Sequence, residues 1–365
     1  MYLAPDPPLT LAALAGIARP GDGADLGRED LFFGSGRAAL LAGLQALGIG
    51  PGDEVVLPAY LCESVVTPVE AVGASVSVYP VSRGLDVDAA AIEVAIGPRT
   101  HAVVLIHYFG FPGPVQKVRA LCDHRGLALI EDCAHALYSR LGDRALGTFG
   151  DLAIFSPWKS LPLPDGGLLV LNRPGLVVTA PDERAPPART LARLAYRSLG
   201  TVEQAIGWSP RLKLLQRSGL RRQMHARVSA GPVELARGSG IAWKLLRGAS
   251  RQHVVGRRRR NYTQLLDACR DLTWARPLFT DLPDGVCPLG LPLVAENRDH
   301  WRDRLLAAGV NVRTYWEQLP PQVDLERFRD AAWLSDHILV LPTHQGLPSG
   351  AIGRLARTLH RLDRS

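Results

Sequence analysis

Apolar residues recur along the first half of the chain in short runs, and longer stretches of helical spacing separate them. The runs Glu54-Val-Val-Leu57, Ala74 to Tyr79, Ala102-Val-Val-Leu-Ile-His107, Leu127-Ala-Leu-Ile130, Leu152-Ala-Ile-Phe155 and Leu168-Leu-Val-Leu171 read as buried strands. Between them, Ala38 to Leu47, Cys62 to Val72, Ala89 to Ile96 and Val115 to Arg125 read as helices. Gly126 stands where the last of these needs a left-handed terminator. Strands alternating with helices in this way specify an α/β domain with a mainly parallel sheet. Ligands of such sheets bind outside the carboxyl ends of the strands. His107, Asp132 and Ser156 each end a predicted strand, so they are expected to converge on one crevice.

The pattern loosens beyond residue 171. Residues 175–240 are long, basic and proline-containing, and Gly240 to Cys269 reads as one long basic helix. Trp301 to Ala308 reads as a helix, Val310 to Tyr315 as a strand, and Ser349 to Leu362 as a closing helix behind Pro348. Residues 1–30 are rich in Pro, Gly, Ala and Asp, with one short helical piece around Leu9 to Ala18. The predicted organisation is an N-terminal arm (1–30), a large α/β domain (31–240) with an atypical basic insertion at 175–240, and a linking helix with a smaller α+β domain (241–365).

Hydrophobic residues make up 47% of the chain, enough for a sizeable core. Five scattered cysteines (Cys62, Cys122, Cys133, Cys269, Cys287) form no Cys-x-x-Cys pair, so neither a disulfide framework nor a metal site is expected. No apolar run reaches membrane-spanning length, and the N-terminus lacks a secretory pattern, which makes a cytoplasmic setting the expectation. The net charge of +7 concentrates in Arg211 to Arg227 and Arg257-Arg-Arg-Arg260. No aromatic interleaving or nucleic-acid motif accompanies these clusters, so they read as solvated helix faces or as attraction for an anionic nucleotide diphosphate. A nucleic-acid or membrane partner is not expected.

The chemistry centres on one lysine. Of forty-two Lys and Arg residues only four are lysines: Lys117, Lys159, Lys213 and Lys244. Arginine stays protonated and forms no imine under ordinary conditions. Lys117, Lys213 and Lys244 lie in charged helical or Arg-rich segments and read as solvated. Lys159 instead lies between the apolar run ending at Phe155 and a loop stiffened by Pro162, Pro164 and Gly166-Gly167. Restricted conformation and scarce water favour a neutral, nucleophilic amine. Asp132 is a helix-capping residue or a carboxylate aimed at a protonated ring nitrogen. Ser35 and Gly36, ahead of a buried helix, form an ordinary N-cap or an anion site. A Schiff-base lysine, an acid and a phosphate-binding helix start are together the three needs of pyridoxal phosphate.

Ser35-Gly-Arg-Ala-Ala-Leu40, Leu47-Gly-Ile-Gly-Pro-Gly-Asp-Glu-Val55, His107-Tyr-Phe-Gly110, Ile130-Glu-Asp-Cys-Ala-His135, Gly147-Thr-Phe-Gly-Asp151 and Phe155-Ser156…Lys159…Asp165-Gly-Gly167 carry a likeness to a known family. Over about residues 31 to 171 the chain resembles the DegT/DnrJ/EryC1/StrS aminotransferases, fold-type-I pyridoxal phosphate enzymes that aminate nucleotide-linked keto sugars. The resemblance implies that Lys159 bonds the cofactor aldehyde, Asp132 pairs with the pyridine nitrogen and His135 packs on the cofactor face. It also places Ser35, Gly36, Arg37 and Ser156 at the phosphate. Arg37 stands where the family usually has Thr, and Cys62 where it often has a stacking aromatic, for which Tyr60 is a substitute. The 175–240 region replaces the family's usual Asn-Tyr-Arg segment.

The implied activity is transamination from an amino-acid donor, glutamate or glutamine, by a homodimer. Arg313 either holds the donor carboxylate or makes a surface ion pair, and His344 carries the same two readings. The related sugar dehydratases have histidine in place of the lysine, so Lys159 argues against that branch. Two alternatives remain: a carbonyl substrate other than a sugar nucleotide, and a non-catalytic scaffold that retains the fold.

Overall fold

The computed structural model describes residues 2–16, 21, 28–209 and 231–364. The chain begins with an arm that carries the short helix α1 (Leu11–Ala15). It then alternates β1 (Phe32–Phe33), α2 (Gly36–Ala46), β2 (Glu54–Pro58), α3 (Glu63–Ala71), β3 (Ser75–Tyr79), α4 (Ala89–Ala95), β4 (Thr100–Ile106), α5 (Val115–Arg125) and β5 (Ala128–Asp132). A small hairpin, β6 (Arg140–Leu141) with β7 (Arg144–Ala145), precedes β8 (Leu152–Phe155) and β9 (Gly167–Leu171). The helix α6 (Pro187–Ile206) occupies the atypical insertion.

Seven strands form one sheet in the order β1-β9-β8-β5-β4-β2-β3. The pairs β3·β2, β2·β4, β4·β5 and β5·β8 are parallel, whereas β8·β9 and β9·β1 are antiparallel. The predicted α/β class with a mainly parallel sheet is therefore the observed one. Central strands such as β5 and β8 are buried along their whole length, as their unbroken apolar runs require.

The second half comprises α7 (Gly240–Arg247), α8 (Arg251–Ala268), β10 (Ala275–Pro277), β11 (Gly290–Ala295), α9 (Arg298–Ala307), α10 (Arg329–His337), β12 (Ile338–Pro342) and α11 (Ala351–Asp363). Here β10, β11 and β12 form a separate antiparallel sheet. Two expectations are corrected. Residues 240–269 form two helices, because Gly248 ends α7 and the Ser250 side chain caps α8 by accepting from His253 N. Residues 310–315 form no regular strand: they make only isolated bridges, Val310 with Leu3 of the arm and Arg313 with Val340 of β12. The cluster Arg211 to Arg227 and Lys213 lie outside the described residues.

Candidate active site

Strand β8 ends at Phe155, and Pro157-Trp-Lys159 follow as a single tight turn. Proline fixes the first residue of that turn and has no N–H to leave unpaired. Lys159 N and Ser160 N donate back to Ser156 O and Pro157 O, both at 3.0 Å. The Lys159 side chain is half-buried at the mouth of the sheet. Burial pulls its amine below the usual lysine range, the negative charge of Asp132 opposes this, and Arg313 adds to the lowering. Lys117 and Lys244 are exposed, as expected of solvated lysines.

Asp132 ends β5 and lies in register with Ile154 of β8 and Ile106 of β4. Its Oδ1 accepts from Ala134 N at 2.8 Å. Burial raises its pKa, while Lys159 and the Ala134 N–H work the other way. Each of the two side chains thus favours the charged form of the other.

Side chains alternate across a strand, so Glu131 points away from Asp132. Its carboxylate accepts from His107 Nε2 (3.0 Å), Gly147 N (2.9 Å), Phe149 N (2.6 Å) and Gly150 N (2.6 Å). Burial works to raise the Glu131 pKa, but the His107 hydrogen bond and these N–H groups hold it below the usual value. Gly113 N donates to His107 Nδ1 at 3.0 Å, so Nε2 carries the proton and donates to Glu131. His107 is therefore a buried strut and not a crevice residue, which corrects the expected convergence of three strand ends. Cys133 lies near enough to His107 and Glu131 to complete a metal triad, but the Glu131 oxygens are already engaged by four donors.

The start of α2 stands beside the lysine loop. Ser35 is its N-cap and accepts from Ala38 N at 3.2 Å. A Cβ on Gly36 would come within 2.4 Å of Ser156 Oγ, and one on Gly167 within 2.0 Å of Ser35 O. Only glycine lets β8, β9 and the helix start approach this closely. The result is a cradle of helix N–H groups and two serine hydroxyls, suited to an anion. Arg37 Nη1 donates to Gly231 O at 3.0 Å, so this side chain ties the end of the insertion to the helix start.

Cys62 is the half-exposed N-cap residue of α3, within the electrostatic reach of Lys159. Tyr60 is fully buried between Tyr108 (ring centroids 5.8 Å apart) and Trp316 (4.6 Å, edge-on). The His135 ring lies parallel to Trp316 (5.3 Å, 11°) and is also flanked by Phe109 (5.6 Å, 28°). Both ring nitrogens of His135 are buried without a hydrogen-bond partner. Burial drives its pKa well below the ordinary value, so the ring is neutral.

Three participants were not read from the sequence. Trp316 sits at φ 52° beside His135. Asp6 of the arm forms a two-pronged ion pair with Arg313, which keeps the guanidinium charged despite its burial. Arg313 thus has a carboxylate partner from its own chain. Arg258, 1% exposed, donates to Ser160 O (2.9 Å), Pro288 O (3.0 Å), Leu289 O (2.8 Å) and Gln345 Oε1 (2.9 Å). The expectation that Arg257 to Arg260 form a solvated face fails at this residue. The signal was present: Val254, Arg258, Asn261, Tyr262 and Leu265 share one helical stripe. His344 Nε2 donates to Ala4 O at 3.0 Å and so pins the arm. A larger cavity of about 680 Å³, lined by segments around Asp86 and Phe328, contains none of these groups.

Residues 29–225, just over half of the chain, match the model of the DegT/DnrJ/EryC1/StrS aminotransferase family. The chain belongs to this family. It is 41% identical over 140 residues to a UDP-N-acetyl-3-dehydro-α-D-glucosamine 3-aminotransferase of Acidithiobacillus ferrooxidans, a match covering 37% of this chain and 38% of the relative. It is 38% identical over 172 residues to a dTDP-4-dehydro-2,3,6-trideoxy-D-glucose 4-aminotransferase of Saccharopolyspora spinosa, covering 46% and 42%. The matched stretches thus span about two fifths of these curated relatives. DesV of S. venezuelae superposes with a TM-score of 0.70 at 22% identity, covering 99% of this chain and all of that one. The sugar aminotransferase Spr1654 of Streptococcus pneumoniae superposes at 0.72 with 16% identity, covering 100% and 99%. The fold of the DegT/DnrJ/EryC1/StrS chain is accordingly that of the fold-type-I pyridoxal phosphate enzymes.

The residues present suit pyridoxal phosphate. A half-buried lysine lies within electrostatic reach of a buried carboxylate and of a neutral imidazole with two unpaired nitrogens, and beside its loop is an anion cradle that a single Cβ would fill.

Proposed function

We propose that this chain is a pyridoxal phosphate-dependent aminotransferase that moves an amino group from an amino-acid donor to a keto group of a nucleotide-linked sugar. One observation carries the reading: Lys159 and Asp132, which follow the C-terminal ends of two neighbouring parallel strands, lie close enough that each favours the charged form of the other. When bound, the cofactor supplies an aldehyde that captures amines and a ring that withdraws electrons from the substrate carbon.

The chain's own groups do the rest. Lys159 would anchor the aldehyde until the incoming donor amine displaces it, and the freed lysine amine, kept more in its neutral form by burial, would take and return the proton at the substrate carbon. Asp132 pairs with the ring nitrogen and keeps it protonated. Ser35, Gly36 and Ser156 hold the phosphate through hydroxyl and N–H groups, with Arg37 at the edge of that site. His135 would pack on the ring, and Trp316, which lies parallel to His135, would supply the aromatic side chain that Cys62 cannot. The donor carboxylate reaches Arg313 only by displacing Asp6.

The two curated relatives act, by their names, at different ring carbons of different nucleotide sugars. The class they share, a nucleotide-linked dehydro sugar, is what we carry to this chain. The same reading makes the enzyme a cytoplasmic homodimer with glutamate or glutamine as donor. Among the described residues no helix is long and apolar enough to cross a membrane.

The test begins with purified protein loaded with pyridoxal phosphate. It absorbs visible light, borohydride removes the band, and a pyridoxyl mass tag maps to Lys159. Lys159→Ala loses band, tag and amine transfer to a panel of UDP- and dTDP-linked dehydro sugars. A Lys159→Ala variant that still transfers the amine rejects the assignment.

A further inference from the structure

The helix α6 is mounted with its polar side inward. Leu191, Val202 and Ile206 lie on its outer side, and the inner side grips the loop that carries the lysine. Thr190 donates to Asp165 (3.2 Å), Arg193 to Pro164 O (3.2 Å) and Arg197 Nη2 to Trp158 O (2.8 Å). Positions 190, 193 and 197 share one face of a helix. Trp158 immediately precedes Lys159. On the other side of the lysine, Ser160 O accepts from Arg258 Nη2 at 2.9 Å. Lys159 thus hangs between two guanidinium groups, one from α6 and one from α8, each bonded to the carbonyl of a residue next to it. Arg197 is itself fixed. Its Nη1 donates to Pro7 O of the arm at 3.0 Å, and its guanidinium carbon lies 5.9 Å from the centroid of the Trp158 ring. Burial lowers its pKa and the nearby Asp6 carboxylate opposes this, so the group stays charged. A guanidinium held at two nitrogens has little freedom, and neither has the carbonyl that it holds.

We propose that Arg197 is a positioning residue for the lysine: by holding Trp158 O against the arm, it fixes the backbone from which the Lys159 side chain reaches the substrate carbon. This rests on the reading of Lys159 as the amine of an aminotransferase. A lysine side chain is a flexible four-carbon stem, so its aim depends on where its backbone is held. Proton transfer needs the amine within hydrogen-bond reach of the carbon it serves, and a displacement of about 1 Å costs on the order of a hundredfold in rate. Arg197 acts through the peptide beside the lysine. Arg258 holds the other side, but it also binds Pro288 O and Leu289 O, so its loss disturbs the fold at large. Arg197 spans only the arm and the lysine loop in its hydrogen bonds, so its effect can be read on the lysine itself.

The test compares full-length protein loaded with pyridoxal phosphate, unaltered and as Arg197→Met, Arg197→Lys and Arg193→Met. Arg193 grips the same loop at Pro164 O, farther from the lysine, and controls for simple loosening. Arg197→Met is expected to lower kcat for amine transfer about thirtyfold, with the KM of the keto sugar held within about twofold. The pH midpoint of its visible band should rise by about half a unit, as the loosened lysine meets water. Arg197→Lys keeps a cation and a donor and should recover part of both losses. Arg193→Met should leave kcat and the midpoint within about twofold and about a tenth of a unit of the unaltered protein. Should Arg197→Met fail to fold, Arg197→Gln, which keeps one donor, carries the same expectation at smaller size. An unchanged kcat and midpoint in the Arg197 variants, or equal changes in Arg193→Met, overturns the proposal. The borohydride tag on the unaltered protein keeps the two readings apart: a tag away from Lys159 rejects the proposed function, whereas a tag on Lys159 with no response to Arg197 rejects the positioning role alone.

Discussion

His344 is 1% exposed, and its Nδ1 lacks a partner. Burial, which outweighs the Ala4 hydrogen bond, lowers its pKa from 6.5 to about 4. Between those values the unfolded chain holds a proton that the folded chain does not. Stability therefore falls as pH drops through the window and levels off below it, by about 3 kcal/mol in total. His135 is shifted in the same direction by its own burial. His344→Asn is expected to remove part of this slope while leaving a donor for Ala4 O. Urea midpoints at pH 7 and pH 4.5 for both proteins check it. The Asp6–Arg313 pair makes a kinetic prediction. Asp6→Asn frees the guanidinium, so the KM for the amino donor should fall about tenfold while that for the keto sugar holds. A rise in both would mark Asp6 as structural. At this scale the nearness of Lys159 and Asp132 was legible because both follow the C-terminal ends of neighbouring parallel strands. His107 was misread because a strand end does not reveal which neighbour captures the side chain. Here Glu131, on the opposite face from Asp132, captured it.

Among the elements, the contact between β9 and the start of α2 is the tightest in the site. Gly167 has no room for a Cβ against Ser35 O and Gly36 N. Gly167→Ala should cost about 3 kcal/mol by forcing strand and helix apart. It should also weaken cofactor retention, read as faster loss of the visible band on dilution. The run from Leu168 announced the strand, but nothing in the sequence announced that its first residue abuts a helix cap. Six of the strands and four of the helices in the first 171 residues were readable because their periods are clean. Residues 240–269 were read as one helix because Gly248 and Ser250 are tolerated inside a helical pattern as well as at its ends. The apolar stripe of α6 was present in the sequence, yet periodicity does not say which face turns inward. The hydrogen bonds to Pro7, Trp158 and Pro164 decide that.

Across the whole molecule, one guanidinium joins the two sheets. Arg258 of α8 binds the carbonyl of Ser160 behind the lysine and those of Pro288 and Leu289 leading into β11. Removing it strands buried acceptors on both sides. Arg258→Met should lose about 3–5 kcal/mol, against less than about 0.5 kcal/mol for the exposed neighbour Arg260→Met. Denaturant unfolding of the two variants makes the comparison. Such a cation was invisible to composition because it lies in a run of four arginines, and only its position on the helix distinguishes it.

The arm that supplies Asp6 seats on the far end of the chain. Leu3 bonds Gly309 and Asn311, and Ala4 accepts from His344, some 340 positions later. Residues 3 and 4 must therefore wait for partners some three hundred positions further along before they find their place. Until that closure, Arg313 lacks its Asp6 partner and the wall around Lys159 is unfinished, so competence waits on the meeting of these distant segments.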